Sequence, residues 1–143
     1  MTSTIKPICY NGPVDGSRVS KTLRKILVAD DDLGCRKVLA NFLKSIGFAV
    51  IEAANGYEAV QGAKREKPDL IILDIMMPGM GGDDASLVLQ EDPRTQNIPI
   101  IFLSSLQTRG QEKARGGEIE GRIILAKPVN TKILSDKIKG ILG

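Results

Sequence analysis

Short apolar runs alternate with longer amphipathic segments from Lys25 to the end of the chain. The apolar runs predict β-strands at 25–30, 48–53, 69–74, 98–103 and 121–126. The segments between and after them predict helices at 33–46, 57–66, 83–91, 106–116 and 130–142. Five βα units with short connections are typical of a parallel sheet with right-handed crossovers and helices on both faces. We therefore expect an α/β protein with a doubly wound, five-stranded parallel sheet.

The predicted helices differ in the strength of their sequence signal. The first has an apolar face at helical spacing, which predicts burial of Val38, Leu39, Phe42, Leu43 and Ile46. Its basic residues are predicted to face outward: Arg36, Lys37 and Lys44. The segment 106–116 is the weakest, because each of its glycines costs about 1 kcal/mol relative to alanine in a helix. We expect this segment to be a thin and mobile element.

Residues 1–24 differ from the rest of the chain in composition. They lack apolar periodicity and are rich in small, polar and basic residues, which predicts a flexible N-terminal arm. Residues 1–25 hold five basic residues and one acidic residue, a net charge of +4, so residues 26–143 carry −1 of the overall +3. Because the positive charge belongs to the arm, we expect the domain at 25–143 not to bind DNA directly. The last predicted helix ends almost with the chain, so we expect no output domain after it.

Composition excludes several classes of protein. With 143 residues, 42% of them hydrophobic, the chain can form one domain with a core. The absence of histidine excludes His-based catalysis and His-ligated zinc. Cys9 and Cys35 are too few for a disulfide framework, which favours reduced thiols in the cytoplasm. Because no segment resembles a signal peptide or a membrane span, we expect a cytoplasmic protein without membrane attachment.

Polar residues stand where the predicted strands end. Four strands are followed or ended by Asp30-Asp31-Asp32, Asp74, Ser104-Ser105 and Lys127. The carboxyl ends of parallel strands meet at one edge of the sheet, where open α/β folds place their sites, so we expect these groups to lie together. Clustered carboxylates without histidine suit a hard cation such as Mg²⁺, and a lysine and a hydroxyl beside them suit a phosphoryl group.

Each candidate residue has a less specific interpretation. The aspartates after the first strand could cap a helix; we assign the cap to Asp32 and leave Asp30 and Asp31 as metal ligands. Lys127 could be an ordinary surface lysine, but its place between a strand and Pro128 favours a role in the site. The remaining carboxylate, Asp74, could act as a nucleophile that takes a phosphoryl group as an acyl phosphate. Three carboxylates in one pocket repel each other, so without a cation the site should be strained.

Five motifs in this order and spacing resemble the receiver domain of two-component response regulators, the CheY-like family. They are ILVADDD at 26–32, ANGYEA at 54–59, LDIMMPGM at 73–80, IIFLSS at 100–105 and AKP at 126–128. The resemblance covers residues 25–142. It implies a flavodoxin-like fold with strand order 2-1-3-4-5 and a single-domain receiver at 25–143.

The resemblance also implies roles for individual residues. Asp74 would be the phosphoacceptor, and Ser104 and Lys127 would contact the phosphoryl group. Mg²⁺ would be bound by Asp30, Asp31, Asp74 and the backbone carbonyl of Met76. In this family the Lys-Pro peptide bond after the last strand is typically cis, so we expect a cis bond between Lys127 and Pro128.

The resemblance further implies partners and a mode of signalling. The donor would be a sensor histidine kinase or a histidine phosphotransfer protein. The protein would be a signalling phosphoacceptor rather than an enzyme, and would bind a target protein or a second copy through a face at 106–142. Receivers commonly carry an aromatic residue in the last strand as a reporter of phosphorylation, and Ile124 stands there in this chain.

Two other functions fit the acidic site less well. A Mg²⁺-dependent phosphohydrolase with an aspartyl-phosphate would need a second aspartate two residues after the nucleophile, where this chain has Met76. A flavodoxin-like nucleotide or flavin binder would need a phosphate-binding loop after the first strand. The aspartates at 30–32 would repel phosphate there without a metal.

Overall fold

A six-stranded sheet forms the centre of the protein in a computed structural model that describes residues 23–105, 118–119 and 122–143. The strands are β1 (Lys25–Ala29), β2 (Ala49–Ala53), β3 (Leu70–Asp74), β4 (Ile100–Ser104), β5 (Glu118–Ile119) and β6 (Arg122–Ala126). Their order is β2-β1-β3-β4-β6-β5, and every pair is parallel except β5 with β6. The predicted five-stranded parallel order 2-1-3-4-5 is therefore confirmed, with β6 as its fifth strand.

The edge strand β5 was not predicted from the sequence. It pairs antiparallel with β6, with Glu118 opposite Ile123 and Ile119 opposite Arg122. Two residues are too short for apolar alternation to be recognised, so only the pairing defines this strand. The predicted helix at 106–116 and residues 1–22 of the predicted arm lie outside the described residues.

Four helices connect or follow the strands in the described part of the chain. They are α1 (Leu33–Ser45), α2 (Gly56–Glu66), α3 (Gly82–Glu91) and α4 (Thr131–Leu142). Side chains of Asp32, Asn55 and Asn130 cap α1, α2 and α4 by accepting a backbone N–H of the first turn. Such a cap contributes about 1 kcal/mol. The predicted capping role of Asp32 is confirmed, and within the described ranges no helix has the length and apolarity to cross a bilayer.

The core consists of two apolar layers, one on each face of the sheet. Successive strand residues point to opposite faces, so Ile26 and Val28 pack with α1 and α4, whereas Leu27 and Ala29 pack with α2 and α3. All five residues of β3 are buried, as expected for a central strand covered on both sides. The strand ends, and with them the polar residues, are thereby held at one edge.

The predicted apolar face of α1 is only partly correct. Leu39, Ala40 and Leu43 are buried, but Val38 is 64% exposed and Ile46 is 41% exposed. Periodicity defines a wide apolar arc on a helix, and only the part that the sheet and α4 cover is removed from water. An apolar strip on α1, formed by Val38 and by Ile46 at the C-cap, therefore remains at the surface.

Candidate functional site

Three carboxylates meet at the carboxyl ends of β1 and β3. One oxygen from each of Asp30, Asp31 and Asp74 lies within 4.8 Å of the other two. Asp30 and Asp74 are buried, at 0% and 3% exposure, whereas Asp31 is exposed. The parallel pairing of Ala29 on β1 with Leu73 on β3 brings Asp30 and Asp74 together, because each aspartate directly follows one of the paired residues.

Lys127 lies between two of these carboxylates. Its Nζ is 2.9 Å from Asp74 Oδ2 and 3.0 Å from Asp30 Oδ2. The lysine side chain is 19% exposed, so its interpretation as a freely solvated surface lysine is wrong. The predicted cis peptide bond between Lys127 and Pro128 is confirmed.

The charges of the site change the pKa values of its members. Burial raises the pKa of the Asp74 carboxyl, and the nearby charge of Asp30 adds to this effect, while the hydrogen bond from Lys127 only partly offsets it. Burial opposes the charge of Lys127, but its contacts with the Asp74 and Asp30 carboxylates outweigh burial and raise the lysine pKa. Lys127 is therefore positively charged across the physiological pH range.

The Asp30 carboxylate fits a cation-binding role. Its Oδ1 accepts the backbone N–H of Asp32 at 2.9 Å. Its Oδ2 is buried without an aligned hydrogen bond, so the contact with Lys127 is an ion pair alone. Buried carboxylate oxygens are normally satisfied, and an all-oxygen set of this kind is what Mg²⁺ prefers. Asp30, Asp31 and Asp74 thus form a set of ligands suited to a hard cation.

The residue two positions after Asp74 contacts the Asp74 carboxylate through its backbone. The N–H of Met76 donates to Asp74 Oδ1 at 3.2 Å, and the Met76 side chain is 58% exposed. The loop after β3 is closed by a hydrogen bond from the Gly82 N–H to the Ile75 carbonyl at 3.0 Å. The predicted role of the Met76 carbonyl as a metal ligand stays a prediction.

Ser104 ends β4 at the same edge of the sheet. It is 2% exposed, and its hydroxyl donates to the Ser105 carbonyl at 3.3 Å. Its own carbonyl accepts the Lys127 N–H at 2.8 Å, which ties the end of β4 to the start of the segment after β6. The structure places Ser104 beside the site, and its predicted contact with a phosphoryl group stays a prediction.

Two residues behind the carboxylates were missed by the sequence analysis. Arg36 was predicted to face outward, but its side chain is only 15% exposed, and its Nη1 donates to the Asp30 carbonyl at 2.8 Å. Its Nε donates to Glu52 on β2 at 3.0 Å, and Lys37 donates to the other oxygen of the same carboxylate. These bonds, the one from Lys37 foremost, lower the pKa of Glu52. The sequence signal for these contacts was Glu52, a charged residue inside the otherwise apolar strand AVIEA.

Residues 26–139 match the family model of the response regulator receiver domain. The chain therefore belongs to the receiver family of response regulators, which act in two-component signalling. Protein PilH of Pseudomonas aeruginosa is 35% identical over 123 residues, which are 85% of this chain and 99% of PilH. The probable transcriptional regulator ycf27 of Porphyridium aerugineum is 38% identical over 82% of this chain, but this chain covers only 48% of it. The chain thus spans about half the length of the ycf27 relatives.

Solved structures have the same fold. The chemotaxis protein CheY4 of Vibrio cholerae has a TM-score of 0.72 at 28% identity, covering 85% of this chain and all of CheY4. The receiver domain of sensor histidine kinase PA1611 of Pseudomonas aeruginosa has a TM-score of 0.72 at 25% identity, covering 84% of this chain and 98% of that one. That receiver was crystallised with a magnesium ion coordinated in its active site cleft.

Proposed function

We propose that Asp74 accepts a phosphoryl group from a histidine of a sensor kinase or phosphotransfer protein. The observation that carries this proposal is the buried Asp74 carboxylate, held between the Lys127 ammonium at 2.9 Å and the Met76 N–H at 3.2 Å. In the transfer, the P–N bond of the phosphohistidine breaks as a P–O bond to Asp74 forms. The imidazole leaves with the electron pair of the broken bond.

Mg²⁺ would be held by Asp30, Asp31, Asp74 and the Met76 carbonyl, and when bound it supplies positive charge to the phosphoryl oxygens. The magnesium in the PA1611 receiver supports this assignment. Lys127, which is charged and already at Asp74, exchanges a carboxylate contact for a contact with the transferred group. The Ser104 hydroxyl donates a further hydrogen bond to it.

The protein acts as a signalling phosphoacceptor rather than as an enzyme with turnover. Hydrolysis of an aspartyl phosphate needs an oriented water, and the exposed thioether of Met76 has no group that can orient one. Phosphate on Asp74 is therefore lost slowly, and the aspartyl-phosphate hydrolase is the less favoured function.

The donor protein docks on the apolar strip of α1. A cavity of about 470 Å³ between α1 and the segment after β6 is lined by Cys35, Val38, Leu39, Pro128 and Val129. Lys127 also lines this cavity, so a partner seated there reaches the edge of the phosphorylation site. A donor whose apolar face covers Val38 would present its histidine next to Asp74. The cytoplasmic location predicted from the sequence is the compartment in which such a donor would meet it.

Phosphorylation with a small-molecule donor tests the proposal. Acetyl phosphate with Mg²⁺ should add one phosphoryl group to the protein, detected as an increase in intact mass, and Asp74→Asn should abolish it. Asp83→Asn, which changes an exposed aspartate on α3, is the matched control and should be labelled normally. Labelling that persists in Asp74→Asn, or that is unaffected by EDTA, would refute the assignment.

A further inference from the structure

Arg36 and Glu52 form a bonded chain behind the carboxylates of the site. Arg36 on α1 donates from Nη1 to the Asp30 carbonyl at 2.8 Å and from Nε to Glu52 Oε1 at 3.0 Å. Both side chains are largely covered, at 15% and 22% exposure. An arginine fixed at two points by charge-assisted bonds holds a defined position, because its guanidinium is planar and presents its donors in a rigid fork.

The carbonyl that Arg36 contacts belongs to the peptide group between Asp30 and Asp31. At the amino side of the same residue, the Asp30 N–H donates to the Ala53 carbonyl at 3.1 Å. Asp30 is thus fixed by α1 at its carbonyl and by β2 at its N–H. The plane of the Asp30–Asp31 peptide sets the direction in which the following residue leaves the strand, so its orientation affects both carboxylates.

We propose that Arg36, held by Glu52, is a positioning residue that sets the geometry of the cation site through the Asp30–Asp31 peptide. The inference rests on the proposed Mg²⁺ site. Mg²⁺ demands nearly ideal octahedral geometry, whereas Ca²⁺ accepts longer and more variable arrangements of oxygen ligands. A loss of positioning should therefore weaken Mg²⁺ binding more than Ca²⁺ binding.

Positioning and charge predict opposite effects for this arginine. Arg36 is itself a cation near the site, so removing its charge should strengthen binding of Mg²⁺ and Ca²⁺ alike if electrostatics alone mattered. If Arg36 acts by positioning, Mg²⁺ binding weakens in spite of the lost repulsion. The ratio of the two dissociation constants separates these explanations, and a general loss of stability does not alter that ratio in the folded protein.

The experiment is a titration of the full chain with Mg²⁺ and, separately, with Ca²⁺, followed by the amide chemical shifts of Asp31 and Met76. In Arg36→Gln we expect Mg²⁺ affinity to fall about tenfold, as is common when the partner of a metal ligand is lost. Ca²⁺ affinity should fall much less. Lys37→Gln is the matched control, because Lys37 bonds the same Glu52 carboxylate without contacting Asp30. Its Mg²⁺ to Ca²⁺ ratio should equal that of the wild type.

Each outcome decides one of the two proposals. If the wild type does not bind Mg²⁺ at Asp31 and Met76, the proposed function fails. If the wild type binds Mg²⁺ but Arg36→Gln keeps the same ratio of affinities, the positioning role of Arg36 is overturned and the metal site stands. Should Arg36→Gln fail to fold, Arg36→Lys replaces it. This variant keeps the charge but loses the fork, so a wild-type ratio in Arg36→Lys overturns the proposal as well.

Discussion

The Lys127 ammonium lies 2.9 Å from Asp74 and 3.0 Å from Asp30, and its single positive charge offsets part of the charge of the two buried carboxylates. The raised pKa of Asp74 reflects burial first and the charge of Asp30 second. A phosphoryl group on Asp74 would compete with Asp30 for this lysine. Lys127 can therefore link the chemical state of Asp74 to Ser104, because the Ser104 carbonyl accepts the backbone N–H of Lys127.

Replacing this lysine should separate phosphorylation from its consequence. We expect Lys127→Ala to accept phosphate but to lose most of the conformational response, because the phosphate no longer has a partner on the segment after β6. The measurement is the change in amide chemical shifts on addition of beryllofluoride with Mg²⁺, over residues 104–105 and 122–126. Lys132→Ala, which removes an 82% exposed lysine, is the control. Equal shifts in Lys127→Ala and the wild type would contradict the prediction.

Asp92, at the end of α3, should make stability depend on pH. The Arg94 side chain and N–H lower its pKa from 3.8 to about 2. Because the pKa is lowered in the folded state, the stabilisation is present above the unfolded pKa and is lost as the pH falls through the folded pKa.

We expect Asp92→Asn to lower the free energy of unfolding at pH 7, and the difference from the wild type to shrink between about pH 4 and pH 2. Urea denaturation at several pH values measures this difference. Asp136→Asn, which changes an exposed partner of Lys132, serves as the control and should have a smaller effect at pH 7. A difference for Asp92→Asn that does not change with pH would contradict the role of its charge.

A contact between α2 and the loop after β3 holds the loop that follows Asp74. The Gly56 N–H at the start of α2 donates to the Met80 carbonyl at 3.0 Å, and a Cβ at Gly56 would clash with the same oxygen. The loop after β3 therefore packs against α2 at a distance that only glycine permits. Because Met76 lies in this loop, the contact also supports the backbone next to Asp74.

Gly56→Ala should force this contact apart. We expect it to lower the free energy of unfolding by about 1–3 kcal/mol, the usual cost of adding an atom to a packed contact, and to slow phosphorylation by acetyl phosphate. Gly140→Ala is the matched control: nothing lies within 4 Å of its Cβ position. In the interior of α4 this change should stabilise by about 0.5–1 kcal/mol. Similar stability changes in both variants would contradict the close contact.

The apolar strip on α1 should affect transfer from a protein donor only. We expect Val38→Glu to leave phosphorylation by acetyl phosphate unchanged, because Val38 lies outside the carboxylate site. Transfer from the partner kinase or phosphotransfer protein should fall about tenfold, the effect of losing one well-buried interface contact. The control is Leu87→Glu, on the exposed side of α3, where Leu87 is 52% exposed. If both donors are affected equally, docking on α1 is refuted.

For the whole molecule, two surfaces are candidates for passing the signal on. The proposed face at 106–142 includes Ile124, which is half-buried against the apolar layer shared with Phe102. The other candidate is the basic arm. Arg24 donates to the Leu142 carbonyl at 2.6 Å, so a deletion that tests the arm should stop at residue 22.

A stand-alone receiver also stays a prediction, because this chain covers nearly all of PilH but half of ycf27.

Deletion of residues 1–22 should leave phosphorylation-dependent association with a target or a second copy intact, because we place that surface on the face at 106–142. Ile124→Tyr should change the association, since a larger side chain at a half-buried position shifts the end of β6. Size measurements with and without phosphate, together with hydrogen exchange, test both variants. Loss of association on deletion, with no exchange change at 106–142 on activation, would show that the arm binds instead.

The local pattern of the chain determined which segments become strands and helices. Apolar runs such as 70–73 were recognisable because burial on both faces leaves no polar position, and Asp74 stands out at the end of such a run. The carboxylates, the lysine and the cap at Asp32 followed from their places at element ends. The strand order came from the family resemblance, because periodicity within a strand does not specify its neighbours.

Only the tertiary structure decided which parts of those elements meet. The inward position of Arg36 depends on Glu52, 16 residues away on another element, and nothing in the helix itself distinguishes Arg36 from its outward basic neighbours. The exposure of Val38 depends on how much of α1 the sheet and α4 cover. Sequence patterns report local burial tendencies, whereas these contacts arise from the rotation and distance of packed elements.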